Sequence, residues 1–455
     1  MNTTSPTSVA LSIAPAASSI ALETLIQTAL VKRFTFLNVS EISPDTDLMR
    51  DLGLDSMQLV QLLVDLEVEH SIKIPESALE KKDFSTLTAL AAKLQSFAAP
   101  VNDVAAAPAE MDTAEMDIKV HCFVSCLCEP IKKIPTLDHR PFYFGVWDAE
   151  LFVDAQYRLS YHSTNVDHGF FVDWYQRLYG IRVFPWYDHN LNKTENVARL
   201  QQLLQSRQAD QHLMVMLDLY QLPERENKFN KNPFPHYVML EDMADPELIW
   251  MWDPDFRWQG ALNRQRVFNA VAQNSVAGGY TFSTGEAKTP DIRILDEYFL
   301  ESLIRERNPM TDAVRNIIRA HVAGSGDIAL EDLPLALKEL PVLAIRKYAY
   351  EHGLAFFWRD LTLPDQEFED WCVVVEQLVK GYDRVQFLAV KYAQQPEVDV
   401  LWEIEQCLRA QDAREFQIKE RLCQVHQIWR HKYHLKNVAE TALDLAHAKQ
   451  ETVCD

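Results

Sequence analysis

Ser56, Cys122, His236 and Asp253 have the residue type and the local setting to do chemistry. Ser56 stands in Asp51-Leu52-Gly53-Leu54-Asp55-Ser56-Met57-Gln58-Leu59, between an acidic turn and an apolar run. A serine at a helix start meets free N–H groups and the positive end of the helix dipole, which suits a phosphodiester. Gly53 gives the preceding loop freedom to turn. The bland reading makes Ser56 only an N-cap. Cys122 lies in Val120-His121-Cys122-Phe123-Val124-Ser125-Cys126-Leu127-Cys128, which reads as a helix. In the first helical turn the dipole favours the thiolate, which is the nucleophilic form. His236 begins one apolar strand, in Phe234-Pro235-His236-Tyr237-Val238-Met239-Leu240. Asp253 ends the next, Leu248-Ile249-Trp250-Met251-Trp252-Asp253-Pro254. Antiparallel pairing sets the two side by side. A base held by a carboxylate and reaching a helix-start thiol is the arrangement that moves acyl groups through a cysteine. Singly, a histidine is usually structural and Asp-Pro is usually a turn; the order and contexts together carry the reading.

The elements around Ser56 have helical spacing. Residues 24–37 carry Leu25, Ile26, Ala29, Leu30, Phe34 and Phe36, and a loop over 38–50 follows. A helix from Ser56 has the apolar stripe Met57, Leu59, Val60, Leu63, Val64 and Leu66, and another over 86–97 turns Leu87, Leu90 and Leu94 inward. This predicts a small acidic four-helix bundle over residues 21–98, preceded by a disordered lead over 1–20. Residues 99–117 are rich in Ala and Pro and read as a flexible linker. Such a linker spans on the order of 20–25 Å root-mean-square. Residues 118–290 hold the cysteine helix and the strands, including a buried strand over 213–217, and read as an α+β domain. Residues 291–437 read as a largely helical region, with helices over 295–307, 310–322, 333–352, 365–393 and 398–434. Trp402, Ile404, Leu408, Phe416, Ile418, Leu422 and Val425 supply the core of the last. A polar tail occupies 438–455. The expected architecture is therefore multidomain, α and α+β.

At 455 residues and a formal charge of −22, the chain accommodates two or three domains and disfavours nonspecific nucleic-acid binding. No apolar run reaches membrane-spanning length, and the N-terminus lacks the basic n-region of a signal peptide. Seven unevenly spread cysteines make no disulfide framework and suggest a reducing cytoplasm. His121, Cys122, Cys126 and Cys128 form one short cluster without the second that zinc sites use, so no metal is expected. Cys126 and Cys128 read as buried small hydrophobes.

Residues 22–97 resemble the acyl and peptidyl carrier protein family, and Asp51 to Leu59 closely resembles its attachment motif. That resemblance implies 4′-phosphopantetheine on Ser56. It also implies a phosphopantetheinyl transferase and an acyl- or aryl-adenylating ligase as partners. The cysteine helix, the His-Tyr-Val strand and the strand ending in Asp-Pro resemble the papain-like fold of the bacteriocin-processing peptidases. Over residues 120–260 the chain is more similar to the butirosin acyltransferase type, a family that moves an acyl group from a carrier protein to an amine. His121-Cys122, the aromatic segment Phe142-Tyr143-Phe144-Gly145-Val146-Trp147 and the run Leu217-Asp218-Leu219-Tyr220-Gln221-Leu222-Pro223 carry this likeness. It implies Cys122 as nucleophile, His236 as base and Asp253 as its orienter. The peptidases' oxyanion glutamine is absent; Met116 stands at about its place. The Cys122 N–H remains one donor, and a second is unassigned, which favours transfer over peptide hydrolysis. The pairing of carrier and transferase also resembles the petrobactin siderophore enzymes, in which a carrier and a condensing enzyme pass 3,4-dihydroxybenzoate to a spermidine amine. The implied function is a carrier-dependent acyltransferase that forms an amide on an amine such as a polyamine. The competing readings are a thioesterase or peptidase of the same fold, and a non-catalytic protein that docks a carrier.

Overall fold

The computed structural model describes residues 19–38, 42–70, 72, 74, 85–98, 121–162, 168–225, 231–324 and 328–435. The expected lead, linker and tail and Met116 lie outside the described residues.

The N-terminal part contains α1 (Ser19–Arg33), α2 (Ser56–His70) and α3 (Leu87–Ala98). Ile26, Leu30, Leu62, Leu66, Leu90 and Leu94 meet in its interior. The observed stripe of α2 includes Leu62 and leaves Val60 only partly buried. Phe36 was expected inside but is 65% exposed. The helix ends at Arg33, so the periodicity that would turn Phe36 inward stops short of it. Three helices of the expected four-helix bundle fall among the described residues.

The second part begins with α4 (Cys122–Lys132), followed by a 3-10 turn over Arg140–Val146 whose aromatic side chains are buried. A short hairpin, β1 (Phe152–Val153) and β2 (Leu159–Ser160), leads to α5 (Gly169–Tyr179). The latter stops at Gly180, which takes φ +73° where a side chain would be strained. There follow β3 (Val183–Pro185), α6 (Lys193–Ser206), β4 (Gln211–Asp218), β5 (Pro235–Asp242), β6 (Leu248–Asp253), β7 (Trp258–Asn263), α7 (Arg264–Val271) and β8 (Gly279–Ser283). The strands form a six-stranded antiparallel sheet in the order β3-β8-β4-β5-β6-β7. Strand alternation divides its side chains between two cores. Met214, Met216, Tyr237 and Met239 face the larger core shared with α4. Val215, Leu217, Val238 and Leu240 face a smaller one with residues of α6 and α7.

The third part is helical: α8 (Ile292–Ser302), α9 (Pro309–Ala323), α10 (Leu333–Ala336), α11 (Leu340–Ala344), α12 (Ala349–Leu361), α13 (Asp365–Gln394) and α14 (Val398–Lys432). The single helix expected over 333–352 is instead α10, α11, a 3-10 turn over Ile345–Tyr348 and the start of α12. Pro334 and Pro341 each sit at a helix start, where a missing N–H costs nothing, and each would break a continuous helix. Trp402 and Phe416 were expected in the core but are 65% and 40% exposed. The buried stripe of α14 runs through Val400, Ile404, Leu408, Gln411, Glu415, Ile418, Leu422, Val425 and Trp429. Trp402 lies two residues from either neighbour in that stripe and so on the opposite face.

Gln411 holds its place in the α14 stripe by donating to the Leu378 carbonyl, and Glu415 holds its place by joining a buried ion cluster with Lys419. Lys347 pairs with Glu415 and donates to the Trp147 carbonyl at 2.5 Å. Lys419 reaches Asp148 at 2.9 Å and donates to the carbonyls of Ile304 and Arg307, each at 2.8 Å. All four side chains are at most 2% exposed. The cluster ties the segment just after the aromatic turn to the last long helix. Lys347→Met is expected to destabilise the fold by about 3–5 kcal/mol, because it leaves buried carboxylate without its cation; the urea unfolding midpoint followed by circular dichroism checks this.

Candidate functional site

Cys122 is the first residue of α4, and its N-cap His121 is extended with no side-chain cap. Asp255 takes over that role. Its Oδ1 accepts from the His121 N–H and from the Ser125 hydroxyl, both at 3.0 Å. The helix start is thus held by a carboxylate from the 3-10 turn Pro254–Phe256, which directly follows Asp253. Cys126 and Cys128 are fully buried, with their thiols directed at the carbonyls of Tyr237 and His139. Burial pushes the Cys128 thiol up to about 12 and that of Cys126 well above its ordinary value. Both therefore stay protonated.

His236, near the start of β5, points Nε2 at Asp253 Oδ1, 2.8 Å away at the end of β6. Asp253 is fully buried. Its other oxygen accepts from Arg225 at 2.7 Å, and the Phe256 N–H donates to Oδ1 at 3.3 Å. The Arg225 guanidinium stacks on Trp258, 4.1 Å from the ring centre. Burial works against a charged imidazole, but Asp253 and then Cys122 reverse this and hold His236 well above the usual histidine range. For Asp253, burial raises the carboxyl, and His236 with Arg225 brings it below its ordinary value. The arrangement stabilises an imidazolium between a carboxylate and a sulfur.

Cys122 and His236 open on a cavity of about 330 Å³ walled by Tyr161, Phe170, Phe171 and Phe234, among others. The Tyr161 hydroxyl donates to the Pro235 carbonyl at 2.9 Å, fixing the wall beside His236. Burial, and then Arg346, hold His121 well below its usual range, so it is a neutral imidazole. Its Nδ1 has no partner among the described residues. Arg346 also lines the cavity, donating to the Tyr161 carbonyl at 3.1 Å, and burial lowers it to about 10. Among the described residues no group of three or more His, Cys, Asp or Glu side chains is arranged to hold a metal ion.

The site thus brings Cys122, His236 and Asp253 together, while Ser56 sits on the N-terminal bundle. Sequence reasoning missed Arg225, Asp255 and Arg346. Asp255 is visible in Asp253-Pro254-Asp255 as a second carboxylate in the same turn. Arg225 lies in an irregular segment, where no periodicity marks a side chain, and Arg346 lies in the 3-10 turn that interrupts the single helix expected there.

At the first residue of α2, Asp55 rather than Ser56 is the cap. Asp55 Oδ1 accepts from the Gln58 N–H at 2.8 Å, and Gln58 Oε1 accepts from the Asp55 N–H at 2.7 Å. Gly53 turns at φ +69° with open space where a side chain would stand. The serine hydroxyl is therefore not consumed in capping, and the helix start beneath it suits a phosphodiester.

The petrobactin synthase of Bacillus anthracis is 41% identical over 313 residues, 69% of this chain and 96% of that protein. The chain belongs to the petrobactin synthase family. Family descriptions match along its length: a DUF6005 N-terminal domain over residues 117–287, a DUF6005 C-terminal domain over 293–442, and a phosphopantetheine attachment site over 28–94. The mitochondrial acyl carrier protein 3 of Arabidopsis thaliana is 38% identical over 52 residues, 11% of this chain and 40% of that protein. The carrier region is thus an attachment domain for 4′-phosphopantetheine, and it precedes the two DUF6005 domains. The geometry around Ser56 fits that group.

Asp253→Asn removes the charge that raises His236, so the imidazolium is lost at lower pH. Alkylation of Cys122 by iodoacetamide near neutral pH is expected to slow about tenfold or more, read peptide by peptide in a mass spectrometer, with Cys126 and Cys128 unreactive throughout.

Proposed function

We propose that this protein takes an acyl or aryl group presented on Ser56 and transfers it through Cys122 to an amine, in siderophore biosynthesis. The observation that carries the reading is the shared cavity of Cys122 and His236, with Asp253 behind the imidazole. The relative's activity, named as petrobactin synthesis, supports it. The candidate cargo is 3,4-dihydroxybenzoyl and the candidate acceptor a polyamine.

The attached arm supplies the cargo as a thioester. Cys122, as thiolate beside the His236 imidazolium, attacks the thioester carbonyl. A new C–S bond forms at Cys122, the donor C–S bond breaks, and His236 gives its proton to the departing sulfur. The amine then attacks acyl-Cys122. As the C–N bond forms, His236 takes the amine proton and Cys122 leaves as thiolate. Asp253 holds the ring in one tautomer and offsets its charge. Thioester exchange is nearly balanced, whereas the amide is more stable, so the second half drives the cycle. Phe170, Phe171 and Phe234 give an aryl group flat apolar walls. Glu150 and Glu301 on the same cavity offer carboxylates to the remaining charged nitrogens of a polyamine. The N–H of Cys122, at a helix start and outside the helical ladder, is available to a developing oxyanion.

Incubation with coenzyme A and a phosphopantetheinyl transferase is expected to add the arm to the wild type and nothing to Ser56→Ala, read by intact mass. Cys122→Ala should accept the arm and the acyl group yet form no amide, a loss of at least a thousandfold. Product formed by Cys122→Ala would make the protein a docking platform, and free acid in place of amide when amine is supplied would make it a hydrolase.

A further inference from the structure

The carrier bundle is seated on the helical third part, and the contacts are charged. Asp55, next to Ser56, pairs with Lys338, which follows α10. Glu67 on α2 pairs with Lys391 on α13 and also accepts from the Ile74 N–H at 3.2 Å. Arg384, one helical face along α13, donates to the Ile74 carbonyl at 3.3 Å. An acidic helix thus lies along a helix that offers Arg384 and Lys391, with a third cation at its serine end.

The serine end is also the cavity end. Glu339, adjacent to Lys338, accepts from the Tyr161 N–H at 2.8 Å and from the Ser160 hydroxyl at 3.1 Å, and it pairs with Lys231. Tyr161 and Val342 line the cavity that holds Cys122. Lys338 and Val342 are four residues apart, at most about 14 Å of chain. One short segment therefore touches the carrier on one side and the reaction cavity on the other. In this pose Ser56 is only 5% exposed.

We infer that Lys338, Arg384 and Lys391 form a docking surface for the chain's own carrier, which delivers cargo to Cys122 of the same molecule and shields Ser56 from modifying enzymes while it is seated. This rests on the proposed transfer through Cys122. Loading requires the carrier to leave, and delivery requires it to return. Tethering keeps the carrier at an effective concentration in the millimolar range, so modest charge pairs suffice to seat it, and added salt weakens them.

The test uses the full chain with Lys338→Glu and Lys391→Glu together. The reversal is expected to raise the rate at which a phosphopantetheinyl transferase modifies Ser56 about fivefold or more. It should slow single-turnover acylation of Cys122 from the loaded carrier about tenfold or more. Adding Glu67→Lys to Lys391→Glu alone should return both rates toward wild type. A small acyl thioester in solution, which needs no carrier, should acylate Cys122 of the reversal variant at the wild-type rate. Unchanged modification and carrier-dependent acylation in the reversal variant would overturn the docking surface. Failure of the small thioester to acylate wild-type Cys122 would count against the transfer chemistry instead, and the modification rate would still decide the docking. Efficient acylation on mixing dilute loaded Cys122→Ala protein with Ser56→Ala protein would overturn delivery within one molecule.

Discussion

A single turn, Asp253-Pro254-Asp255-Phe256, carries the geometry on which the rest depends. Its first carboxylate orients His236 and its second pins the backbone that launches the cysteine helix. His236 and Cys122 come from elements more than a hundred residues apart, yet both are referenced to the same few atoms. The Phe256 N–H folds back on Asp253 and closes the turn. His236 and then Arg225 supply the positive charge that lets a fully buried aspartate stay ionised. Without them, burial would favour the neutral acid.

The candidate site was more legible than its support. Ser56, Cys122, His236 and Asp253 sit at element boundaries, and boundaries leave marks: a glycine turn before a helix, an apolar strand interrupted by a histidine, an Asp-Pro step. The strands and the long helices follow from apolar runs and periodicity. What escaped was of two kinds. Arg225 acts from irregular backbone and Arg346 from a 3-10 turn, where residue type alone carries no address. In the helical third part, proline broke a run whose apolar spacing looked continuous. Gln411 and Glu415 occupied stripe positions that hydrophobicity assigns to neighbours such as Trp402 and Phe416. A buried ion cluster reads, in one dimension, like a solvated face.

The two kinds of electrostatics in the molecule differ in consequence. The cluster of Asp148, Lys347, Glu415 and Lys419 is dry and fixed, and every charge has a partner at close range. The pairs between carrier and α13 are partly exposed: Lys391 and Glu67 keep 21% and 15% of their side-chain surface. The first kind resists rearrangement because separating it strands charge in the interior. The second exchanges protein partners for water at little cost. Strong links thus lie in the buried interior, and weak ones along the docking surface proposed for the carrier.

The cavity walls have mixed ancestry along the chain. Cys122 and His236 come from the helix and sheet, whereas Val342, Ile345 and Arg346 reach in from the segment after α10. On the proposed transfer, reactivity and cargo selection are written in separate stretches of sequence. Divergence in the later stretch can retailor the room available to an incoming acyl group while the sulfur and the imidazole stay as they are, so homologues with identical reacting atoms need not share a preferred cargo.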